Sequence, residues 1–428
     1  MRSFLALVPL AVIAVAAGCS SSPSPGAANG AGDDAGAAEG GAGGDAATNP
    51  NLTSVTFQME ETVPGGGEEF KCKYVQLPSV PAWMVQSEHN YTPGSHHMLL
   101  YTTSLTAIPA GGDQLTDCYE GTGNNIMANA TGILYGGQTP TGKEQLPPGI
   151  GLPTKANEVL IFQTHYLNAS AGPLDATVNV TLTLDTNADD IQTQAGIIFF
   201  YDPFIDVPPG ATSKASMRCQ IPGDITLLYG SSHYHSRGVG YGAYIDPAVD
   251  QLASTPFYTS SSWSSPDNAQ LNLPVKAGSR IRFECDYDNS AGTSEYFSGQ
   301  SAQTNEMCMF IGLYYPEMGQ LADFCYSGAD MLGTGSATCS TTLSCYEACP
   351  SSGSGGGGGP LGIDVSDCEQ KCMVASCPTA AAPLVAFSDC VSKSCSSQCS
   401  NASSSACTSC VTQSCGSQYL ACSNHTCP

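Results

Sequence analysis

Short apolar or alternating segments recur along the chain from Leu52 onward, separated by clusters of turn-forming residues. The first set of segments is LTSVTFQM, FKCKYVQL, HHMLLYTT, EVLIFQTHYL, ATVNVTLTL and AGIIFFY, and the second is DITLLYGSSHYH, GVGYGAYI, RIRFECDYDN and EMCMFIGLYYP. Helical periodicity is scarce among them, while VPGGG, QLPPG and NASAGP supply turns. Short alternating runs bounded by turns are typical of antiparallel sheets. We therefore predict a mainly β fold built from two tandem antiparallel β-sandwich, jelly-roll-like domains, followed by a small disulfide-rich helical tail.

The composition of the chain predicts five segments. A positive residue, Arg2, precedes an apolar run that is too short to span a bilayer, which indicates a cleaved signal peptide. A stretch rich in Gly, Ala and Ser follows and predicts a flexible linker. The polar sequence TNADD then marks a seam between the two β domains. The predicted segments are a lipoprotein signal peptide at 1–18, the linker at 19–50, the first β domain at 51–188, the second at 189–335 and the Cys-rich tail at 336–428.

Small residues lead up to the first cysteine in the sequence Val15-Ala16-Ala17-Gly18-Cys19. This stretch resembles a bacterial lipoprotein box. The resemblance implies that Cys19 becomes the lipidated first residue of the mature protein and anchors it to a bacterial membrane, either the outer membrane or the cell surface. An ordinary secretory cleavage site is the alternative.

Charge and cysteine content narrow the environment of the protein. Lys plus Arg number 13 against 37 for Asp plus Glu, a formal net charge of −24. Phosphate backbones would repel such a chain, so we expect no nucleic-acid partner. The chain has 21 cysteines, and an even number remains without Cys19, as paired bridges require. This profile favours an extracytoplasmic, disulfide-rich protein.

The tail concentrates 14 of these cysteines between residues 339 and 427. Several pairs are spaced one helical turn apart: Cys345 and Cys349, Cys368 and Cys372, and Cys395 and Cys399. We predict short helices joined by disulfides. Zinc binding is the alternative, but the tail has a single histidine, His425, and an oxidising compartment favours disulfides.

Five of the seven histidines fall in three strand-like motifs. His233 and His235 are two residues apart, so a strand directs both side chains to one face. His96 and His97 are adjacent and would point to opposite faces unless the backbone bends at the strand's start, where Gly94-Ser95 could allow it. His165 ends an apolar strand. A lone histidine is ordinarily a core or surface residue, but five in such clusters indicate a metal site.

Histidine alone does not select the metal, because imidazole suits copper, zinc, iron and nickel. A thioether ligand would favour copper in its reduced state. Met307, in TNEMCMFIGLYYP, could supply it, but spacing alone does not distinguish it from the other methionines, of which the chain has 11 in all.

Four motifs, HHMLLY, QTHY, HYH and EMCMFIGLYYP, occur in the order found in the copper type II, ascorbate-dependent monooxygenases. The chain resembles this family, which includes dopamine beta-monooxygenase and peptidylglycine alpha-hydroxylating monooxygenase, over about residues 52–330 and not in the tail. The resemblance implies two copper ions per chain. His96, His97 and His165 would bind the electron-transfer copper from the first domain. The catalytic copper would be bound from the second domain by His233, His235 and Met307.

The resemblance also implies an activity, namely hydroxylation of a C–H bond in a small-molecule or peptide substrate with O2 and a reductant such as ascorbate. It further implies a glutamine, Gln163, that supports a ligand, and three disulfides: Cys72–Cys118, Cys219–Cys325 and Cys285–Cys308. One departure matters. The peptide-amidating branch carries an arginine two residues before the His-x-His pair, where this chain has Ser231. Amidation of glycine-extended peptides is therefore disfavoured. Arg237 lies just after the His-x-His pair, and the sequence does not define how far its side chain reaches.

Two other functions compete with catalysis. A non-catalytic surface lipoprotein that binds or buffers copper could use the same six ligands, although a storage protein would more usually multiply Met and Cys ligands. A structural or adhesive surface protein is suggested mainly by the tail. The complete ligand set favours the monooxygenase for the β region.

Overall fold

The computed structural model describes residues 50–119, 125–248, 251–350, 363, 365–400 and 404–428. The predicted signal peptide, the lipidated Cys19 and almost all of the predicted linker lie outside the described residues. Among the helices of the described part of the chain, none has both the length and the apolar character needed to cross a membrane.

Two sheets form from the first part of the chain, antiparallel except for the parallel pairing of β11 with β8. One has the strand order β1-β10-β3-β8-β11, with β7 also pairing with β3, and the other has the order β5-β2-β9-β4-β6. Alternation along β10 shows how the sequence builds them, because Ala176, Val178, Val180 and Leu182 are buried while the residues between them are not. The strands are β1 Leu52–Val63, β2 Glu68–Gln76, β3 Ala82–Tyr91, β4 Ser95–Thr103, β5 Thr116–Asp117, β6 Ala130–Gly137, β7 Thr141–Gln145, β8 Ile150–Thr154, β9 Val159–Leu167, β10 Leu174–Asp185 and β11 Thr193–Gln194.

Two further large sheets form from the later strands. Their orders are β18-β15-β21-β12-β22 and β14-β19-β16-β17, and β13 pairs with β20 in a small ribbon. The strands are β12 Gly196–Tyr201, β13 Asp206–Val207, β14 Thr212–Gln220, β15 Ile225–Tyr234, β16 Gly238–Asp246, β17 Tyr258–Ser260, β18 Ala269–Val275, β19 Arg280–Asp288, β20 Tyr296–Phe297, β21 Cys308–Tyr315 and β22 Phe324–Cys325. A short helix, α1 Gln320–Asp323, lies between β21 and β22.

The predicted mainly β fold is confirmed, but the arrangement of sheets differs from a plain tandem. The four larger sheets form a propeller-like arrangement of four blades rather than two clearly separate sandwiches. The apolar core of the first two sheets continues into Leu228, Tyr229 and Leu313 of the third sheet. The pairing of β11 with β8 also carries the chain across the predicted seam. Alternation along single strands cannot reveal this, because it fixes which face is buried and not which sheet buries it.

The tail is helical and stapled by disulfides, as predicted. Its helices are α2 Cys339–Ala348, α3 Asp367–Val374, α4 Ala381–Cys395, α5 Ser405–Ser414 and α6 Gly416–Ser423. Seven disulfides link the helices of the tail and the segments between and after them: Cys339–Cys422, Cys345–Cys372, Cys349–Cys368, Cys377–Cys427, Cys390–Cys415, Cys395–Cys410 and Cys399–Cys407. Because these sulfurs are bonded to one another, none is a free thiolate for zinc. Tail residues such as Met373 and Leu384 share one apolar core with the last two large sheets.

Candidate metal centre

The first three histidines lie where β4 and β9 meet. The pairing of these strands shifts register between Ser95, opposite Tyr166, and His97, opposite His165. Gly94, just before the shift, has a φ of 116°, and the Ser95 hydroxyl donates to the carbonyls of His97 and His165 at 3.0 and 3.2 Å. This irregularity lets His96 and His97 both approach His165, with ring centroids 5.1 and 5.0 Å away.

The other two histidines need no such irregularity. His233 lies near the end of β15, opposite Met309 on β21, and His235 follows just after the strand ends. Their ring centroids are 5.4 Å apart, which agrees with alternation bringing positions i and i+2 to one face.

The two histidine sets meet in one cluster. His96 is 4.6 Å from His233 and 5.2 Å from His235, measured between ring centroids, and His97 is 5.2 Å from His233. Ligand nitrogens of His96, His97 and His165 lie within 4.8 Å of one another, and so do those of His96, His233 and His235. The resemblance implied two separate ligand sets. In the structure His96 belongs to both.

Several ring nitrogens in this cluster are buried without any hydrogen-bond partner among the described residues. They are both nitrogens of His96, Nδ1 of His97, Nδ1 of His165 and Nε2 of His235. Buried polar atoms are normally paired, so this set of unpaired nitrogens fits a metal that would accept their lone pairs. The residues present therefore suit a bound ion.

Burial keeps the imidazoles neutral, which is the form that binds metals. Desolvation lowers the pKa of all five, reinforced for His96 by His233 and for His97 by His165. It lowers the pKa of His235 to about 3, with His165 contributing. None of these groups needs to lose a proton near neutral pH to become a ligand.

The opposite ring nitrogens of four histidines are anchored. His97 Nε2 lies 3.2 Å from Gln163 Oε1, the glutamine that the resemblance indicated. His165 Nε2 lies 2.8 Å from Glu68 Oε1, His233 Nδ1 2.6 Å from Gln138 Oε1, and His235 Nδ1 3.1 Å from the Asn305 carbonyl oxygen. Each acceptor fixes the ring so that its other nitrogen faces the cluster.

Glu68 was missed by the sequence analysis, and it connects distant parts of the chain. Its carboxylate accepts from His165, from the Ser301 hydroxyl at 2.6 Å and from the Ala302 backbone N–H at 2.7 Å. Burial alone would raise the pKa of Glu68, but the hydrogen bonds from His165, Ser301 and Ala302 outweigh it and lower the pKa. The carboxylate therefore stays ionised and holds a histidine of the first set against a loop near the second.

Met307 lies beside the cluster, on a cavity that His97 and His233 also line. It is 3% exposed and packs with Phe199, Tyr201 and Met309. Its carbonyl oxygen accepts from the Tyr287 hydroxyl at 2.8 Å, and the next residue, Cys308, is bonded to Cys285. The disulfides Cys72–Cys118 and Cys219–Cys325 complete the three pairings that the resemblance implied.

The cavity has a volume of about 560 Å³, within the range of small-molecule sites. Apolar side chains, among them Leu134, Phe199 and Leu313, make up much of its wall. Glu144 and Asp267 lie on the wall as well, and burial raises the pKa of Glu144 to about 7. The cavity can therefore hold a largely apolar organic molecule next to the histidine cluster.

Arg237 does not line this cavity. Its guanidinium lies 3.6 Å from the centre of the Tyr296 ring and donates to the Ser236 hydroxyl and to the carbonyls of Ala302 and Gln303. Its backbone N–H donates to the buried carboxylate of Glu306 at 2.9 Å. Ser231, at the position where the amidating branch has arginine, does line the cavity.

Comparison with known proteins gives no family. No family model and no curated protein matches the chain. Among solved structures, PNGF-II is similar with a TM-score of 0.26 and 8% identity, covering 64% of this chain and 66%, just under two thirds, of that one. PNGase F, a glycosylasparaginase from Flavobacterium meningosepticum, has a TM-score of 0.26 and 10% identity, covering 61% of this chain and 94% of that one. At these TM-scores the similarity carries no functional argument.

Proposed function

We propose that this protein is a copper-dependent monooxygenase that hydroxylates a C–H bond of an organic substrate with O2 and an external reductant such as ascorbate. The observation that carries the proposal is a cluster of five buried, neutral histidines, most with an unpaired nitrogen, beside a small-molecule cavity that His97, His233 and Met307 line. When bound, copper would supply the electron transfer and O2 reduction that this reaction needs.

The residues divide into two roles in this proposal. His96, His97 and His165 would hold the electron-transfer copper, and His233, His235 and Met307 the catalytic copper. A soft thioether beside imidazoles favours copper over zinc. In this proposal the β region consists of two tandem β-sandwich domains, and each domain supplies one of the two ligand sets.

The substrate in this proposal is a small molecule or a short peptide that binds in the cavity. Recognition of a terminal carboxylate by arginine is not supported, because Ser231 occupies the corresponding wall and the Arg237 guanidinium is already hydrogen-bonded elsewhere. Amidation of glycine-extended peptides is therefore disfavoured.

We also propose an extracytoplasmic location with a lipid anchor at Cys19 in a bacterial membrane. Ten disulfides in the described part of the chain are compatible with an oxidising compartment. The anchor rests on the sequence resemblance alone.

The test compares metal content and ascorbate-dependent O2 uptake in the wild type and in Met307→Leu, which removes the sulfur while nearly conserving volume. We expect two copper ions per wild-type chain, and weaker binding of reduced copper with loss of O2 uptake in the variant. Met331→Leu is the matched control, because Met331 is equally buried in the core of the last two sheets.

Three outcomes would contradict the proposal. Copper binding without O2 uptake in the wild type would favour the copper-binding lipoprotein. Unchanged binding of reduced copper in Met307→Leu would remove Met307 from the ligand set. Zinc in place of copper would leave only a similarity of sequence motifs.

A further inference from the structure

We propose that the disulfide-rich tail is a working part of the metal centre, and that Gln370 on α3 is a positioning residue for it. The residue acts through residues 298–306, called the site loop below. The predicted effect on copper binding rests on the proposed function, whereas the predicted effect on the site loop rests on the fold alone.

The site loop supports one histidine of each set, His235 directly and His165 through Glu68. The Asn305 carbonyl oxygen accepts from His235 Nδ1 at 3.1 Å. Ser301 and Ala302 donate to Glu68, which in turn accepts from His165. A shift of the loop would therefore release the anchors of two rings at once, and both rings belong to the cluster.

The loop is closed at its base, next to Met307. Ser298 and Glu306 form an isolated parallel bridge, and the Gly299 N–H donates to the Glu306 carbonyl oxygen at 3.1 Å. Met307 follows Glu306 directly. Whatever fixes Ser298 therefore also fixes the backbone that leads into Met307.

The tail fixes Ser298. Gln370 is 1% exposed, and its Oε1 accepts from the Ser298 N–H at 2.8 Å and from the Ile205 N–H at 3.3 Å. Its Nε2 donates to the Val365 carbonyl oxygen at 2.7 Å. The buried side-chain amide of Gln370 thus links α3 to the base of the site loop and to the segment between β12 and β13, where Ile205 lies.

A second contact from the tail reaches the same place. Ile363 packs against the apolar group of Phe199, Tyr201, Met307 and Met309. The ion pair between Lys371 and Glu295 is more exposed and holds the tail weakly by comparison. The buried amide and Ile363 both bear on the surroundings of Met307, which is why the tail affects the site and not merely the surface next to it.

The first variant to test is Gln370→Leu in the full chain. Leucine fills nearly the same space but leaves the Ser298 N–H buried without its acceptor, so the site loop should loosen. Gln413→Leu is the matched control, because Gln413 lies on α5 of the same tail and is exposed, with its amide bonded only to Ser409 among the described residues. Should Gln370→Leu fail to fold, Gln370→Asn keeps the amide but shortens its reach.

The first readout is hydrogen exchange of peptides that cover the site loop in the copper-free protein. Because a buried donor without its acceptor favours local opening, we expect exchange about tenfold faster than in the wild type for the Gln370 variants, and no change for Gln413→Leu. The second readout is copper binding, followed by affinity and by the electron paramagnetic resonance spectrum. Mutating a group that hydrogen-bonds to a metal ligand typically lowers metal affinity by about 10- to 100-fold. We expect a loss of copper affinity near the lower end of this range, together with an altered electron paramagnetic resonance spectrum.

The outcomes separate this proposal from the proposed function. Unchanged exchange of the site loop in a folded Gln370 variant would overturn the positioning role. Faster exchange with unchanged copper affinity and spectrum would also overturn it, since the tail would then be only structural. Absence of copper binding in the wild type would overturn the proposed function, while the exchange measurement would still decide whether the tail holds the loop.

Discussion

The two histidine sets reach the same cluster by different structural means. His96 and His97 depend on a break in strand pairing between Ser95 and His97, whereas His233 and His235 follow from ordinary alternation along β15. The first set therefore depends on the backbone geometry at this break, which the second set does not need, while the loop that carries Asn305 supports His235 directly and His165 through Glu68. A substitution at the break should weaken the first set more than the second.

The largest effect is expected from removing His96, the residue that both sets share. His96→Ala should lower copper binding at both positions, because His96 lies within ligand distance of either pair of partners. His165→Ala should remove one ion only. We would measure copper per chain by elemental analysis, with His425→Ala in the tail as the control. Loss of one ion in His96→Ala, with the other ion's spectrum intact, would mean that the two sites are independent.

A smaller effect is expected from the glutamines that anchor one histidine in each set. Gln138→Ala and Gln163→Ala should each weaken copper binding by about 10- to 100-fold. Gln138 should matter more, since it lies 2.6 Å from His233 against 3.2 Å between Gln163 and His97. Competition titrations with a copper chelator would rank the two variants. A larger loss in Gln163→Ala would reverse the expected order.

The smallest effect should come from the backbone break itself. Gly94→Ala places a side chain where φ is 116° and where a Cβ would lie 3.1 Å from Leu174. Positive φ costs a non-glycine residue on the order of 1–3 kcal/mol, so urea unfolding should show a loss in that range. Copper binding by the first histidine set should also weaken, and by more than at the second set, which shares only His96 with it.

Gly111→Ala is the control for this substitution. Gly111 also has a positive φ, 76°, but its added Cβ would meet no atom within 4 Å. It should lose stability without a change in copper binding. Equal copper binding in both glycine variants would show that the first set does not depend on the break at Ser95.

Much of this molecule could be predicted from single strands and spacings. Alternation identified the β strands, and cysteines one turn apart identified the helices of the tail. The five histidines could be found because they sit at strand ends in recognisable motifs. These features are local, so the residues that produce them are neighbours in the chain.

The remaining features depend on contacts between residues that are far apart in the chain, and the sequence does not show which of these residues meet. Glu68 lies 97 residues before His165, and Gln138 lies 95 residues before His233. Neither belongs to a motif, because an acceptor for an imidazole can be any oxygen that the fold brings close. The sharing of His96 likewise depends on how the sheets approach one another, which also made the arrangement of the blades unpredictable.

The disulfides of the tail bear on the histidine cluster, although the cluster itself contains no cysteine. Cys345–Cys372 and Cys349–Cys368 join α3, which carries Gln370, to α2 and its C-terminal end, and Cys339–Cys422 ties α2 to α6 across 83 residues of chain. The position of the Gln370 amide would therefore depend on these bridges having formed. Through Gln370, the thiol–disulfide balance around the protein would govern how firmly the histidine cluster is held during maturation.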